Sequence, residues 1–109
     1  AEATAEKMTF ANYFAPRVTA VIGTHTHVQT ADEQIINGCA YITDAGMCGV
    51  YASILGRDTK EVIARSIYNE STRYTPAQGP AVISGVLIDI DEKTNRANRI
   101  ERIQIRPKG

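Results

Sequence analysis

The segment Val18-Thr19-Ala20-Val21-Ile22, a short β-branched run closing on Gly23, limits the fold more than any other stretch. It has the form of a buried strand, and such a strand needs a layer of structure on each face. Before it, Met8, Ala11 and Phe14, with Phe10 one turn from Phe14, trace a helical face. This predicts a helix over Thr4–Phe14, started near Thr4 and Glu6 and stopped by Pro16. After a polar stretch from Thr24 to Gln34, Ala40–Thr43 reads as a second strand, and Asp44-Ala45-Gly46 gives it a sharp exit. Asp58 or Thr59 caps a helix to about Tyr68. Its Val62, Ile63 and Ile67 make an apolar stripe, and Glu61 and Arg65 stand at pairing distance along the helix. Val82, Val86, Ile88 and Ile90 share one parity while Ile83 and Leu87 hold the other, so a long strand covered on both faces is expected there. Asp91-Glu92-Lys93-Thr94-Asn95 reads as a hairpin connection. The return strand changes parity between Ile100 and Ile103, which predicts a bulge or face switch near Glu101. The order α, β, β, α, β, β suits one layered α/β unit.

Length and charge narrow the function classes. With 109 residues the chain is at most one domain. Twelve basic residues against twelve acidic ones leave a formal charge of zero, so no global field draws in nucleic acid or an anionic membrane. A polyanionic ligand must therefore be held locally. No apolar run approaches the ~20 residues needed to span a bilayer, and Ala1-Glu2-Ala3 lacks the layout of a secretion signal. A soluble, cytoplasmic chain is expected. The first residue is not Met, which together with the motifs below suggests a piece of something longer. Cys39 and Cys48 lie nine positions apart and match neither a zinc knuckle nor a disulfide scaffold, so both are expected as plain thiols, buried or half-buried.

The chemistry is concentrated in Val21-Ile22-Gly23-Thr24-His25-Thr26-His27, which holds both histidines of the protein. On an extended backbone, side chains two apart share one side, so the two imidazoles are expected to face a single volume at the carboxyl end of a strand. Neutral imidazole is a common transition-metal ligand. Spaced by about 6–7 Å along a strand, two of them can hold one ion or contribute one each to a pair. A bridged pair suits phosphoryl chemistry, because the ions neutralise phosphate oxygens and acidify a shared water. Two imidazoles are still too few for a catalytic shell. Asp32, Glu33 and Asp44 are the nearby carboxylates, and Asp44 can face the same crest or simply form a turn.

Three separated segments carry a family resemblance: Gly23 to Glu33, Ala40 to Met47, and Ser84 to Asp91. In this order they resemble the carboxyl-terminal part of the YmdB-like metallophosphoesterases, calcineurin-type enzymes that hydrolyse 2′,3′-cyclic nucleotides and related phosphodiesters. The resemblance implies part of a four-layer α/β/β/α sandwich, with residues 1–109 as the carboxyl-terminal portion of a single domain whose amino-terminal half is missing. It implies that His25 and His27 ligate a dinuclear metal centre; imidazole with carboxylates suits iron, manganese, zinc or cobalt alike, and Gly23, Thr24, Thr26 and Asp44 are expected beside the substrate phosphate. The family's Asp, Glu and Asn ligands and its Asn-His motif have no counterpart here. A chain so short of ligands is expected to be metal-poor and inactive alone. Unpaired sheet edges make self-association an expectation too.

Two other readings compete. Capsule polyglutamate synthesis proteins also place His-X-His after a strand, but as His-Pro-His, which Thr26 does not match. A non-catalytic module could instead bind nucleotide or RNA through Lys93, Arg96, Arg99, Arg102, Arg106 and Lys108, opposed locally only by Glu101. Basic residues also serve to block pairing on a solvated edge strand. Asp89, Asp91 and Glu92 lack the glycine and later glutamate of a calcium loop, and the five tyrosines form no platform for bases.

Overall fold

The computed structural model describes residues 2–108. In chain order its elements are α1 (Thr4–Phe14), β1 (Ala20–Ile22), β2 (Gln34–Ile36), β3 (Cys39–Ile42), β4 (Gly49–Val50), α2 (Thr59–Tyr68), β5 (Ala81–Asp91) and β6 (Arg96–Ile105). The chain divides into two units: one runs up to Met47 and includes Ser84–Gln104, and the other holds Cys48–Ile83 and the chain from Ile105 onward.

The first unit is organised by β3, whose four residues are all buried. β1 joins it in parallel, Ala20 opposite Ala40 and Ile22 opposite Ile42, and β2 joins the other side antiparallel. The order is β1-β3-β2. β2 returns into β3 through Asn37-Gly38, both at positive φ, the chemistry a two-residue hairpin demands. With only Ile35 and Ile36 after a polar stretch, β2 is too short an apolar run to stand out. The fully buried strand is thus β3, whereas β1 begins two residues later than expected and lies at an edge with Ile22 exposed. Helix α1 buries Lys7 and Ala11, with Ala15 just beyond its end, positions i, i+4 and i+8 on one stripe. Met8 and Phe10, expected inside, are exposed. Lys7 is tolerated because it finds polar partners just past the ends of β1 and β3.

β5 and β6 are neighbours in a hairpin whose turn closes with Asn95 N–H on Asp91 O at 2.8 Å, Asn95 being left-handed. Along β6 the better covered positions are Ala97, Ile100 and Ile103, on both parities. Arg96 opens this strand and ties three segments of the unit together. Its Nη2 donates to Asn37 O at 2.6 Å and to Ala15 O, and its Nη1 to Pro16 O at 3.4 Å.

In the second unit, β4 pairs antiparallel with the first residues of β5, Gly49 opposite Val82. Helix α2 starts where expected: Asp58 accepts from Glu61 N–H at 3.0 Å, and Asn69 ends the helix in the left-handed region. None of its residues is buried, and Ile63 and Ile67 are exposed, so the anticipated apolar stripe is not covered. Glu61 gives its Oε2 to Thr75 N–H at 2.9 Å instead of forming the expected pair with Arg65. Cys39 is buried as expected, whereas Cys48 is exposed, because it lies between segments rather than within a strand.

Candidate functional site

The loop after β1 begins at Gly23, and the reason is steric. A Cβ there would stand 1.8 Å from the carbonyl oxygen of Thr43. Only a glycine lets the loop leave β1 this close to the end of β3, where Gly23 N–H donates to Ile42 O and Gly23 O accepts from Ala45 N–H. Beyond it the chain is not extended. His25 has φ 113° and His27 φ 69°, both in the region L-residues avoid. The geometric route to a shared imidazole volume, alternation along a strand, therefore does not apply. The two residues sit on a bend instead, at a cost of about 1–3 kcal/mol each unless surrounding contacts over-determine the backbone.

Those contacts are present. Asp44, with no solvent-accessible surface, accepts Thr26 N–H at 2.8 Å and Thr26 Oγ1–H at 2.7 Å on Oδ2, and Gly46 N–H at 2.9 Å on Oδ1. Lys7, also buried, donates from Nζ to Thr24 O at 2.6 Å and lies 3.7 Å from Asp44 Oδ2. Burial pushes the Asp44 carboxyl up, but the Thr26 and Gly46 hydrogen bonds and the Lys7 charge outweigh it and hold the group below its ordinary value.

The far end of the loop is fixed as firmly. Asp32 accepts from Thr30 Oγ1 at 2.6 Å and from the Thr43 amide at 3.1 Å, and its other oxygen takes the Thr43 hydroxyl. Here too burial raises the carboxyl pKa while the threonine hydrogen bonds bring the net shift downward. Gln29 reaches across to the hairpin, donating to Gly85 O at 3.1 Å and Ile103 O at 3.0 Å. Gly46 turns beside it at φ 88°, where a Cβ would crowd both Gln29 and Ser84 at 3.0 Å.

Of the six residues expected at the site, His25, His27, Thr24 and Thr26 are exposed on this loop. Gly23 and Asp44 lie beneath. Asp44 has no surface to offer a substrate, because Thr26 and Gly46 occupy its oxygens. Sequence reasoning missed Lys7 and Gln29. The one signal for Lys7 in the sequence is that it shares a helical stripe with Ala11 and Ala15. The basic tail is largely engaged within the chain. Arg102 pairs with Glu33 at 2.8 Å and Arg99 with Glu101 at 2.7 Å, so Glu101 is not the sole local counter-charge.

As metal donors the histidines fit part of a shell. They are exposed and close in sequence, but among the described residues no group of three or more His, Cys, Asp or Glu can hold an ion. Two imidazoles fall short of the three protein ligands that a catalytic metal centre keeps. No helix among the described residues is long and apolar enough to cross a membrane.

The strained, clamped loop that carries both histidines follows the carboxyl end of β1, which runs parallel to β3, the place where ligands collect in open α/β sheets. The YmdB-like protein family matches residues 1–103, and the chain belongs to it. The 2′,3′-cyclic-nucleotide 2′-phosphodiesterase of Bacillus subtilis (strain 168) is 53% identical over 106 residues, which span 96% of this chain and 40% of that protein. The crystal structure of a novel phosphatase from Mycoplasma pneumoniae superposes with a TM-score of 0.89 at 36% identity, over 96% of this chain and 38% of that one. A hypothetical protein from Thermus thermophilus gives 0.88 at 35%, over 98% and 42%. The fold is thus α/β and part of the metallophosphoesterase type. The chain spans about 40% of the length of the curated phosphodiesterase it matches. Family membership also answers the choice the sequence left open between this group and the capsule polyglutamate proteins.

Proposed function

We propose that this chain is the carboxyl-terminal portion of a phosphodiesterase acting on 2′,3′-cyclic nucleotides through a two-metal centre, and that His25 and His27 are two of its donors. The four-layer sandwich and the amino-terminal half carrying the other donors belong to the same proposal. One observation carries it: two exposed imidazoles on a loop held in a strained conformation by buried carboxylate and lysine contacts. Strain maintained in this way is characteristic of sites under functional demand. The 53% identical relative named for this activity supports the substrate class. When bound, divalent or transition ions supply neutralisation of phosphate oxygens and a water that ionises near neutral pH. The chain itself contributes geometry. Gly23 sets the loop's departure, Asp44 and Asp32 hold its two ends, and Thr24 lies exposed beside the imidazoles.

The test uses the whole protein that contains this segment. Hydrolysis of 2′,3′-cyclic AMP is expected with Mn²⁺ and absent with chelator, and His27→Ala is expected to abolish it. Should His27→Ala leave turnover intact while substitutions at Arg99 and Arg102 remove nucleotide binding, the non-catalytic module reading replaces this one.

A further inference from the structure

We infer that Lys7 and Asp44 are positioning residues whose buried pair, working through Thr26, fixes the backbone on both sides of each histidine and thereby sets metal affinity. This rests on reading His25 and His27 as metal donors. His25 lies between the Thr24 carbonyl, taken by Lys7 Nζ at 2.6 Å, and the Thr26 amide, taken by Asp44 Oδ2 at 2.8 Å. Its positive φ is therefore held from both neighbours. His27 lies between Thr26 and Val28, and the Thr26 hydroxyl spans it, accepting from Val28 N–H at 3.2 Å while donating to Asp44 at 2.7 Å. Thr26 Oγ1 is thus the relay from the buried carboxylate to the second histidine. Lys7 closes the arrangement at 3.7 Å from the same carboxylate oxygen.

A buried charge pair is a poor device for stability alone. Well-packed apolar side chains commonly do as well for stability, whereas a buried pair defines one arrangement among several. An exposed loop with two disfavoured residues is the place where such definition has use. Donor groups oriented by their surroundings bind metal more tightly, and removing such an orienting contact lowers affinity about 10- to 100-fold.

The experiment is calorimetric titration of Mn²⁺ into the metal-free whole protein, comparing wild type with Thr26→Val, Thr26→Ser, Lys7→Met, His25→Ala and His27→Ala. Thr26→Val removes the relay hydroxyl at near-constant volume, and retention of the fold is checked by circular dichroism before titration. The expected result is a loss of Mn²⁺ affinity of about 10- to 100-fold in Thr26→Val, recovery in Thr26→Ser, and a loss in Lys7→Met. Because Lys7→Met can also unfold the chain, the two Thr26 variants decide. Wild-type affinity in Thr26→Val, or no recovery in Thr26→Ser, overturns the inference while losses in the histidine variants leave the metal reading standing. Undiminished binding in both histidine variants removes the metal reading and this inference with it.

Discussion

At the scale of single residues, Gly23 and Asp32 show how the loop is fixed. Gly23→Ala forces a methyl onto the Thr43 backbone carbonyl, one residue past the β1–β3 pairing. Overpacking of this kind costs about 3 kcal/mol, so a lowered urea midpoint is expected. Asp32 gives a pH signature. Its folded-state carboxyl titrates below the ordinary 3.8, so the unfolded chain takes up the proton first. The stability it contributes is present above that value and is lost as pH falls through the folded-state pKa. Urea unfolding followed from about pH 6 to about pH 2 is expected to show a steeper acid loss in wild type than in Asp32→Asn. Some of this site was legible in the residues themselves. The His-Thr-His spacing and Gly23 pointed to this loop, and Asp44 was singled out. Its role was not legible, because whether a carboxylate faces outward or is buried under a threonine depends on contacts 18 positions away.

Among the elements, the two helices illustrate which patterns suffice. Asp58 announced the start of α2, and with no buried residue in that helix the cap carries an unusual share of its stability. Asp58→Ala is expected to cost about 1 kcal/mol, read as a loss of helical circular dichroism and earlier hydrogen exchange over Thr59–Tyr68. Helix α1 was placed correctly from Thr4 to Phe14, yet its inward face was misjudged. Bulk apolarity favoured Met8 and Phe10, whereas the buried positions are Lys7, Ala11 and Ala15. Similarly, the β2–β3 turn rests on Asn37-Gly38, a turn signal left unread in the sequence, and not on hydrophobic periodicity. Polar satisfaction and turn chemistry decided these elements, and both lie outside hydrophobic periodicity.

For the molecule as a whole, stability is unevenly spread. Buried apolar residues among those described are Ala11, Ala15, Cys39, Ala40, Tyr41, Ile42 and Ala97 in the first unit, against Val82 in the second. Amides of Tyr41 and Ile42 are therefore expected to exchange last, and those of α2 far earlier, in a hydrogen-exchange time course. Met8, Phe10 and Tyr13 remain exposed on α1, and a cavity of about 240 Å³ lined by Phe10, Ile22 and Thr24 opens beside the edge strand β1. The isolated chain is accordingly expected to self-associate with rising concentration in sedimentation experiments. Arg96 carries one further consequence. Its guanidinium grips carbonyls up to 81 positions earlier in the chain. At ribosomal speeds of about 5–20 residues per second, Pro16 leaves the tunnel about 4–16 s before the arginine that secures it. During that interval the nascent α1 helix has no guanidinium clasp, and it stays so until Arg96 has emerged.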